Sequence, residues 1–170
     1  GDWLFNDFNL ENASAATAFA KSQGIEWEAI KKALRSFIGV PGRMEIIQSK
    51  PFKIVIDYAH TPDSLEKIYQ ALTEKHKLVC VLGAAGGGRD KWKRPEMGWV
   101  ASRYCKIAIL TNEDPYDEDP QEIMRQIESG FLKNPKIKSH PFKILDRKEA
   151  IKKAVSLAKD GYAVVITGKG

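Results

Sequence analysis

Residues 52–75 read FKIVIDYAHTPDSLEKIYQALTEK, and the order of side chains in this stretch indicates the fold. The apolar, β-branched run 54–56 predicts a strand that ends at Asp57. Thr61 and Pro62 predict the start of a helix, because threonine caps the first turn and proline lacks the N–H that would remain unpaired there. The stretch therefore predicts a strand, a polar turn and a helix in succession.

The same alternation of apolar runs and amphipathic segments continues to the end of the chain. Because strands that are apolar throughout need cover on both faces, the pattern predicts an α/β fold, namely a Rossmann-like, mainly parallel sheet with helices on both faces. The predicted strands are 44–48, 52–57, 77–82, 107–111, 143–145 and 163–167. The helices after the one that starts at Pro62 are predicted at 95–102, 120–131 and 147–159.

The first 39 residues have a different pattern, with two helices and no strand. Helices are predicted at 10–22 and 26–37, each with one apolar face, and Gly39 ends the second. Two short helices cannot bury both apolar faces alone, so we expect them to pack against another part of the protein. Residues 1–39 and 40–170 are therefore predicted to belong to different domains.

Composition restricts the class of protein. With 170 residues, of which 43% are hydrophobic and 29% charged, the chain is typical of a folded globular protein. Nothing in it resembles a membrane-spanning run or a signal peptide, so we expect a cytoplasmic protein without a membrane partner. The net charge of +5 is spread along the chain without a basic, aromatic-rich stripe, which predicts no nucleic-acid partner. Cys80 and Cys105 lie in or beside apolar runs and are expected to be buried free thiols.

Polar residues are concentrated just after four of the predicted strands. The segments are 57–60, 83–93, 112–117 and 168–169. In an open α/β sheet the carboxyl ends of parallel strands meet at one edge, and ligands bind there. The sequence therefore predicts one composite site at this edge.

Residues 83–88, GAAGGG, form a glycine-rich turn after a strand, where backbone N–H groups can approach an anion. Arg89 and Asp90 stand where a P-loop needs Lys and Ser or Thr, and the spacing does not match the dinucleotide-binding fingerprint. A flexible loop that binds no ligand explains the glycines equally well.

Three motifs together resemble the C-terminal domain of the Mur ligases. They are PGRME at 41–45, DYAHTPD at 57–63 and RDKWKRPEMG at 89–98. The third is similar to a run in the MurE group, whose members add the third amino acid to UDP-N-acetylmuramoyl-L-alanyl-D-glutamate in peptidoglycan synthesis. The resemblance implies that residues 40–170 are the C-terminal domain and that residues 1–39 are the last helices of a central ATPase domain. It also implies a monomer whose remaining central domain and N-terminal domain, which holds the UDP sugar, lie outside this chain.

The resemblance implies a set of ATP-binding residues. Arg43 would lie along the ribose and phosphates, and Asp57 would accept hydrogen bonds from the ribose hydroxyls. Tyr58 and His60 would neighbour the nucleotide, and Asn12, in the segment FNLEN, matches an element that closes the adenine pocket. ATP and Mg²⁺ are the implied cofactors, with the magnesium ligands expected in the central domain.

The resemblance also implies contacts with an amino-acid substrate. Arg89 would hold the substrate carboxylate, because a guanidinium fork binds a carboxylate through two parallel hydrogen bonds. Gly168 belongs to the segment TGKG, which resembles the start of the family motif Gly-Lys-Gly-His-Glu. No nucleophile or general base is assigned to this chain.

The segment TNEDPY, residues 111–116, departs from the family pattern. Members that add diaminopimelate have Asp-Asp-Asn-Pro-Arg here, whereas Asp114 replaces the Asn and Tyr116 replaces the Arg. Without that arginine the distal carboxylate of diaminopimelate loses its partner, and the acids Glu113 and Asp114 suit a side-chain ammonium instead. We therefore expect L-lysine or ornithine as the amino acid. A solvated acidic loop is the alternative interpretation of these side chains.

The expected function is that of an ATP-dependent ligase that joins an amino acid to UDP-N-acetylmuramoyl-L-alanyl-D-glutamate by an amide bond in cell wall synthesis. Two alternatives stay open. One is another amide ligase of the same superfamily, such as a cyanophycin synthetase or a folylpolyglutamate synthase. The other is a stand-alone module that binds a nucleotide or an amino acid without turnover.

Overall fold

The computed structural model describes residues 7–137 and 140–169. The chain forms two compact units, Gly1–Val40 and Pro41–Gly170. No helix in the described ranges combines the length and the apolar composition that crossing a membrane requires.

The first unit consists of two helices. Helix α1 spans Asp7–Ser22 and begins three residues before the predicted start, and helix α2 spans Trp27–Ser36. Gly24 lies between them with φ of +77°, a left-handed backbone that glycine adopts without strain. Both helices predicted for this segment are therefore confirmed.

The second unit is built on a six-stranded sheet. Its elements, in chain order, are β1 (Glu45–Gln48), β2 (Lys53–Asp57), α3 (Pro62–Thr73), β3 (Lys77–Leu82), α4 (Lys93–Tyr104), β4 (Cys105–Leu110), α5 (Pro120–Phe131), β5 (Phe142–Lys143), α6 (Arg147–Leu157) and β6 (Tyr162–Thr167). The strand order is β1-β2-β6-β3-β4-β5, and all neighbouring strands are parallel except β1 with β2. The predicted α/β fold with a mainly parallel sheet is confirmed.

Helices cover both faces of this sheet. On one face α6 packs Ala150 and Ala154 against a cluster of buried strand residues. That cluster contains Val79, Val81, Ile109, Val164 and Ile166. Helices α3, α4 and α5 pack side by side on the other face. The sheet is therefore buried on both sides, as its near-continuous apolar strands require.

The turn after β2 forms as the sequence predicts. Ser64 N donates a hydrogen bond to Thr61 Oγ1 at 3.3 Å, and Thr61 N donates one to Ser64 Oγ at 3.1 Å. This reciprocal cap, with Pro62 as the first helical residue, fixes the start of α3. The polar turn 57–60 is thereby held at the carboxyl end of β2, at the edge where the parallel strands end.

Helix α4 begins two residues before its predicted start. Lys93 and Arg94 belong to its first turn, and Pro95 is the third helical residue rather than the first. Proline is tolerated throughout the first turn, because the N–H groups there have no carbonyl partner within the helix. Pro95 therefore predicted where the helix lies in the sequence, but not which residue begins it.

The prediction that both cysteines are free thiols is wrong. Cys80 and Cys105 are buried, as expected, but they form a disulfide across a Cα–Cα separation of 5.9 Å. Cys80 lies on β3, and Cys105 begins the neighbouring strand β4. Which strands become neighbours depends on the tertiary fold, so the apolar runs could not show that the two sulfurs meet.

Candidate functional site

The four polar segments meet at one cavity of about 350 Å³. Its lining residues are Tyr58, His60, Ala85, Arg89, Lys93, Glu113, Asp114, Tyr116, Gly168 and Lys169. Each of the four segments contributes to this lining, because parallel strands that end at one edge bring distant parts of the chain together.

Asp57 is not among the residues that line the cavity, and its carboxylate accepts hydrogen bonds from the backbone. Met44 N donates a hydrogen bond to Oδ2 at 2.8 Å, and Ala59 N donates one to Oδ1 at 2.7 Å. Burial raises the pKa of Asp57, while these hydrogen bonds and the charge of Arg43 oppose that rise. Asp57 thus ties the loop before β1 to the turn after β2. Its contact with ribose stays a prediction, for which each carboxylate oxygen keeps a second lone pair.

Arg43, Tyr58 and His60 form a cationic and aromatic surface. The Arg43 guanidinium lies over the Tyr58 ring, 4.6 Å from its centroid. The His60 ring meets the Tyr58 ring edge-on with 5.3 Å between centroids, and His60 Nδ1 is 3.0 Å from the Tyr58 carbonyl oxygen. Guanidinium groups and aromatic faces bind phosphates and flat bases, so this surface fits the nucleotide that the resemblance implies.

Asn12, the remaining residue implied to contact ATP, is exposed on α1 in the first unit. Its adenine contact stays a prediction. In residues 7–137 and 140–169 no three His, Cys, Asp or Glu side chains are grouped to hold a metal ion. The placement of magnesium ligands in a central domain also stays a prediction.

Close packing explains part of the glycine-rich turn at 83–88. Gly86 N donates a hydrogen bond to the Asp114 carbonyl oxygen at 2.9 Å. A Cβ at Gly86 would overlap the Pro115 carbonyl group, so any other residue would push the two segments apart. The glycine therefore lets the turn and the acidic segment form adjoining walls of the cavity.

Arg94, which sequence reasoning noted only as part of a motif, holds these walls together. It is fully buried, and its guanidinium donates to Glu118 twice, from Nη1 to Oε2 at 2.9 Å and from Nη2 to Oε1 at 3.0 Å. Nη2 also donates to the Ala85 carbonyl oxygen at 3.0 Å, and Nη1 donates to Gln126 Oε1 at 2.8 Å. Hydrogen bonds from Arg94 and Lys91 lower the pKa of Glu118 to about 2. Arg94 therefore joins the glycine-rich turn to α5 and to the loop before it.

Arg89 and Lys93 give the cavity positive charge. Arg89 is exposed in the loop before α4, whereas Lys93, which sequence reasoning missed, is 8% exposed at the start of that helix. Neither side chain forms an ion pair or a hydrogen bond with any described residue. Both cations are therefore available to a carboxylate or a phosphoryl group. Lys93 follows Arg89 by four residues, and this spacing is the feature of the sequence that could have identified Lys93 as a second cation of the site.

Glu113 and Asp114 give the cavity negative charge. Glu113 is 7% exposed, and burial raises its pKa, while the charges of Arg147 and His60 oppose the rise. Asp114 is exposed, and its Oδ1 lies 2.5 Å from the ammonium of Lys169. The carboxylate predicted to hold a substrate ammonium is thus paired with an ammonium of the chain itself.

Tyr116, which stands where the family has arginine, also lines the cavity and is largely exposed. Its backbone is left-handed, with φ of +52°. A Cβ at Gly87 would lie 2.8 Å from the Tyr116 ring, so the ring rests against the glycine-rich turn. The chain offers a ring face and one hydroxyl where the resemblance expects a guanidinium.

Gly168 lies against the Glu113 side chain, and replacing this glycine tests how much their close contact matters for stability. Its φ is +98°, and an added Cβ would overlap Glu113 Oε2. We expect Gly168→Ala to lower the free energy of unfolding by about 2–4 kcal/mol in urea titrations, because backbone strain and the displaced carboxylate both contribute. Gly161→Ala is the matched control, since Gly161 has φ of +78° and open space at its Cβ position, and should cost only about 1–2 kcal/mol. Equal losses would show that the Glu113 contact is unimportant.

Comparisons with known proteins identify the family of this chain. The pattern that defines the family described as "Mur ligase, glutamate ligase domain" matches residues 42–170. The UDP-N-acetylmuramoyl-L-alanyl-D-glutamate--2,6-diaminopimelate ligase of Aquifex aeolicus (strain VF5) is 44% identical over 169 residues, covering 98% of this chain and 34% of that protein. A solved structure of a ligase with the same name gives a TM-score of 0.68 at 37% identity, covering 97% of this chain and 34% of the other.

A more distant structure shares the fold. The folylpolyglutamate synthase of Mycobacterium tuberculosis gives a TM-score of 0.74 at 21% identity, covering 96% of this chain and 38% of that protein. At this identity the similarity shows the fold alone. The chain spans about a third of the length of the ligases that it matches.

Proposed function

The chain belongs to the Mur ligase family, and from that premise we propose that it is the C-terminal part of an ATP-dependent ligase that joins an amino acid to UDP-N-acetylmuramoyl-L-alanyl-D-glutamate through an amide bond. The relatives described above are named for a ligase of this kind. One observation carries the proposal: Arg89 and Lys93, which have no ion pair among the described residues, share a cavity with the carboxylates Glu113 and Asp114. An amino acid offers a carboxylate to the cations and an amino group to the acids.

In the proposed reaction a carboxylate oxygen of the D-glutamyl group attacks the terminal phosphorus of ATP, and ADP leaves with the electrons of the broken P–O bond to give an acyl phosphate. The amine of the amino acid attacks the carbonyl carbon, a C–N bond forms, phosphate leaves with the electrons of the C–O bond, and the amine loses a proton. Arg89 contributes by fixing the carboxylate end of the amino acid, which limits the positions that the amine can take. A site that closes around these groups also excludes water from the activated carboxyl group. The described residues therefore act by orientation, and none is assigned as a nucleophile or base.

The nucleotide belongs beside Arg43 and Tyr58 in this proposal. The exposed guanidinium suits the phosphates, and the ring that it covers suits the flat parts of the nucleotide. His60 belongs both to this surface and to the cavity lining. The proposed nucleotide and amino-acid sites therefore adjoin, which suits a reaction in which the amine must reach the carboxyl group that ATP has activated.

The identity of the amino acid is the finer part of the proposal. Tyr116 cannot pair with a distal carboxylate as an arginine does, and Asp114 can exchange the ammonium of Lys169 for a distal ammonium of the substrate, so L-lysine or ornithine is the first candidate. Diaminopimelate is the second candidate because the relatives are named for it. The ammonium of Lys169, beside Asp114, is a cationic group in the cavity that could pair with the distal carboxylate of diaminopimelate.

Phosphate release by the intact protein tests the proposal. The assay contains ATP, magnesium and UDP-N-acetylmuramoyl-L-alanyl-D-glutamate, and compares L-lysine, ornithine and diaminopimelate. Release that depends on one of them supports the ligase and identifies the amino acid. If ATP binds and no amino acid stimulates release, the weight moves to another amide ligase of the superfamily or to a binding module.

Arg89→Ala tests the amino-acid site directly. We expect the KM for the amino acid to rise by roughly tenfold to a hundredfold, with little change in the KM for ATP, because hydrogen bonds between charged groups contribute about 1.5–3 kcal/mol. Arg125→Ala is the matched control, since Arg125 lies on the exposed side of α5 and, within the described ranges, pairs only with Asp119 and Glu122. An unchanged amino-acid KM in Arg89→Ala would remove Arg89 from the site.

A further inference from the structure

A second cavity, of about 610 Å³, lies at the opposite edge of the sheet from the candidate functional site. Its lining comes from three segments, 49–53, 75–76 and 160–162. Lys53 begins β2 and Tyr162 begins β6, so this cavity lies at the amino ends of parallel strands, whereas the candidate site lies at their carboxyl ends. Strands of this length span roughly 17–20 Å, and the two cavities are therefore separate.

Hydrogen bonds and core packing fix the walls of this second cavity. Gln48 Nε2 donates a hydrogen bond to the Phe52 carbonyl oxygen at 3.0 Å, which holds the loop before β2. Lys77 N donates one to the Gly161 carbonyl oxygen at 3.0 Å, which joins the turn before β3 to the turn before β6. The half-buried rings of Phe52 and Tyr162 pack against the core cluster beneath α6. The cavity is therefore formed before a ligand binds, as sites for small molecules usually are.

Three lysine side chains give the second cavity a positive charge. Lys50 and Lys75 are exposed and Lys53 is half-buried, and none of the three forms an ion pair or a side-chain hydrogen bond with any described residue. Asp160, the carboxylate of the lining, does not pair with them either. Burial lowers the pKa of His76, and the charges of Lys53 and Lys75 lower it further, which agrees with a positive potential where these segments meet. The ammonium groups are therefore available to an anion.

The lining favours a chain of phosphates over a single carboxylate. An ammonium is a compact charge that suits phosphate oxygens, whereas planar, bidentate binding of a carboxylate uses arginine, and no arginine is among the described residues of the lining. Three ammonium groups beside one carboxylate also call for a ligand with more than one negative charge. The volume is that of a site for a small molecule, and the rings of Phe52 and Tyr162 offer apolar surface to its uncharged part.

We propose that this cavity is a second binding site, which takes a small molecule that carries a diphosphate or triphosphate group. The ammonium groups of Lys50, Lys53 and Lys75 pair with the phosphate oxygens. Phe52 and Tyr162 form the wall against which the remainder of the ligand packs. The proposal does not rest on the proposed ligase reaction, because none of these residues lines the candidate functional site.

An NMR titration of the 170-residue chain with pyrophosphate tests the proposal, since pyrophosphate is a diphosphate without an organic part. We expect the backbone amide signals of 49–53, 75–77 and 160–162 to shift along saturable curves that share one Kd. Pyrophosphate can also bind near Arg89, so the Kd of the second cavity is taken from its own amides alone. Shifts confined to the segments of the candidate functional site would overturn the proposal.

Substitutions of the lysines test which charges bind the probe. One variant combines Lys50→Gln, Lys53→Gln and Lys75→Gln, and its matched control combines Lys106→Gln, Lys133→Gln and Lys148→Gln, which are exposed and lie outside both cavities. The first should raise the Kd at least tenfold, because each ion pair with an exposed ammonium contributes about twofold to fivefold, and the control should change it less than about twofold. Equal increases in the two variants would show attraction by net charge alone and would overturn the proposal. Lys75→Gln alone, with an expected rise of about twofold to fivefold, serves if the combined variant does not fold.

A parallel titration with ADP identifies the source of the diphosphate group. ADP carries a diphosphate joined to a nucleoside, so a Kd several times lower than that of pyrophosphate would show that the nucleoside packs against Phe52 and Tyr162. An equal or higher Kd would show that the phosphate chain alone is recognised. If neither probe shifts the amide signals of the second cavity, the proposal is wrong, whatever the phosphate-release assay shows about the ligase.

Discussion

Replacing Arg94 by methionine is expected to lower the free energy of unfolding by about 3–5 kcal/mol, because the change removes two hydrogen bonds to Glu118 and leaves the Gln126 side chain and the Ala85 carbonyl oxygen without their donor. Arg94 is fully buried and donates to Glu118, Gln126 and the Ala85 carbonyl oxygen. Methionine fills similar space but donates no hydrogen bond to any of these groups. Urea denaturation followed by circular dichroism measures the loss.

Lys91→Met is the control for this change. Lys91 pairs with the same Glu118 carboxylate at 3.1 Å, but its side chain is 60% exposed. Exposed ion pairs contribute at most about 1 kcal/mol, so the control should remain close to the unaltered protein. If Arg94→Met loses no more stability than Lys91→Met, burial of the Arg94 guanidinium has no energetic importance.

The ion pair between Arg94 and Glu118 also predicts how the stability of the protein depends on pH. The pKa of Glu118 is lowered to about 2 by hydrogen bonds from Arg94 and Lys91, below its ordinary value of 4.5. A lowered carboxyl pKa stabilises the folded state above pH 4.5, and this contribution is lost as the pH falls from 4.5 toward 2. Arg94→Met should therefore show a weaker loss of Tm over this range than the unaltered protein. Parallel Tm curves for the two proteins would contradict this account.

Gly130→Ala is the second change with a large expected effect. The backbone of α5 approaches α4 so closely that a Cβ at Gly130 would overlap the Pro95 carbonyl group, which is backbone and cannot rotate away. Gly98 on α4 meets the Ile127 carbonyl of α5 in the same way. We expect a loss of about 3 kcal/mol or more in the free energy of unfolding, because the helices must separate to admit one methyl group. The midpoint of urea denaturation gives the measurement.

Ser129→Ala is the control for Gly130→Ala. Ser129 is the preceding residue of α5 and is exposed, and its hydroxyl donates a hydrogen bond to the Gln126 carbonyl oxygen of its own helix. It should change stability by less than about 0.5 kcal/mol. Alanine also has the higher helix propensity, so a stabilised Gly130→Ala variant would show that the two helices can adjust and that close packing is not required.

The helices, the strands and the start of α3 could be predicted from the sequence because they depend on residues that are close together in the chain. Strands and helices differ in the period of their apolar residues, and Thr61 and Pro62 mark a helix start by their own chemistry. The carboxyl ends of the strands then identified the edge that carries the cavity, so Glu113, Arg89 and Gly168 could be expected there. Errors of two or three residues at the starts of α1 and α4 arose because a first turn tolerates several residue types.

The contacts between distant segments required the tertiary structure. The disulfide between Cys80 and Cys105, the buried cation Arg94 and the hydrogen bond from Arg147 to the Thr167 carbonyl oxygen all depend on which elements become neighbours. A sequence period reports which face of an element is apolar, and carries no information about the order of strands in the sheet. By itself the sequence therefore determined the kinds of element and the edge that carries the site, whereas tertiary packing decided which charged groups are paired, buried or left available to a ligand.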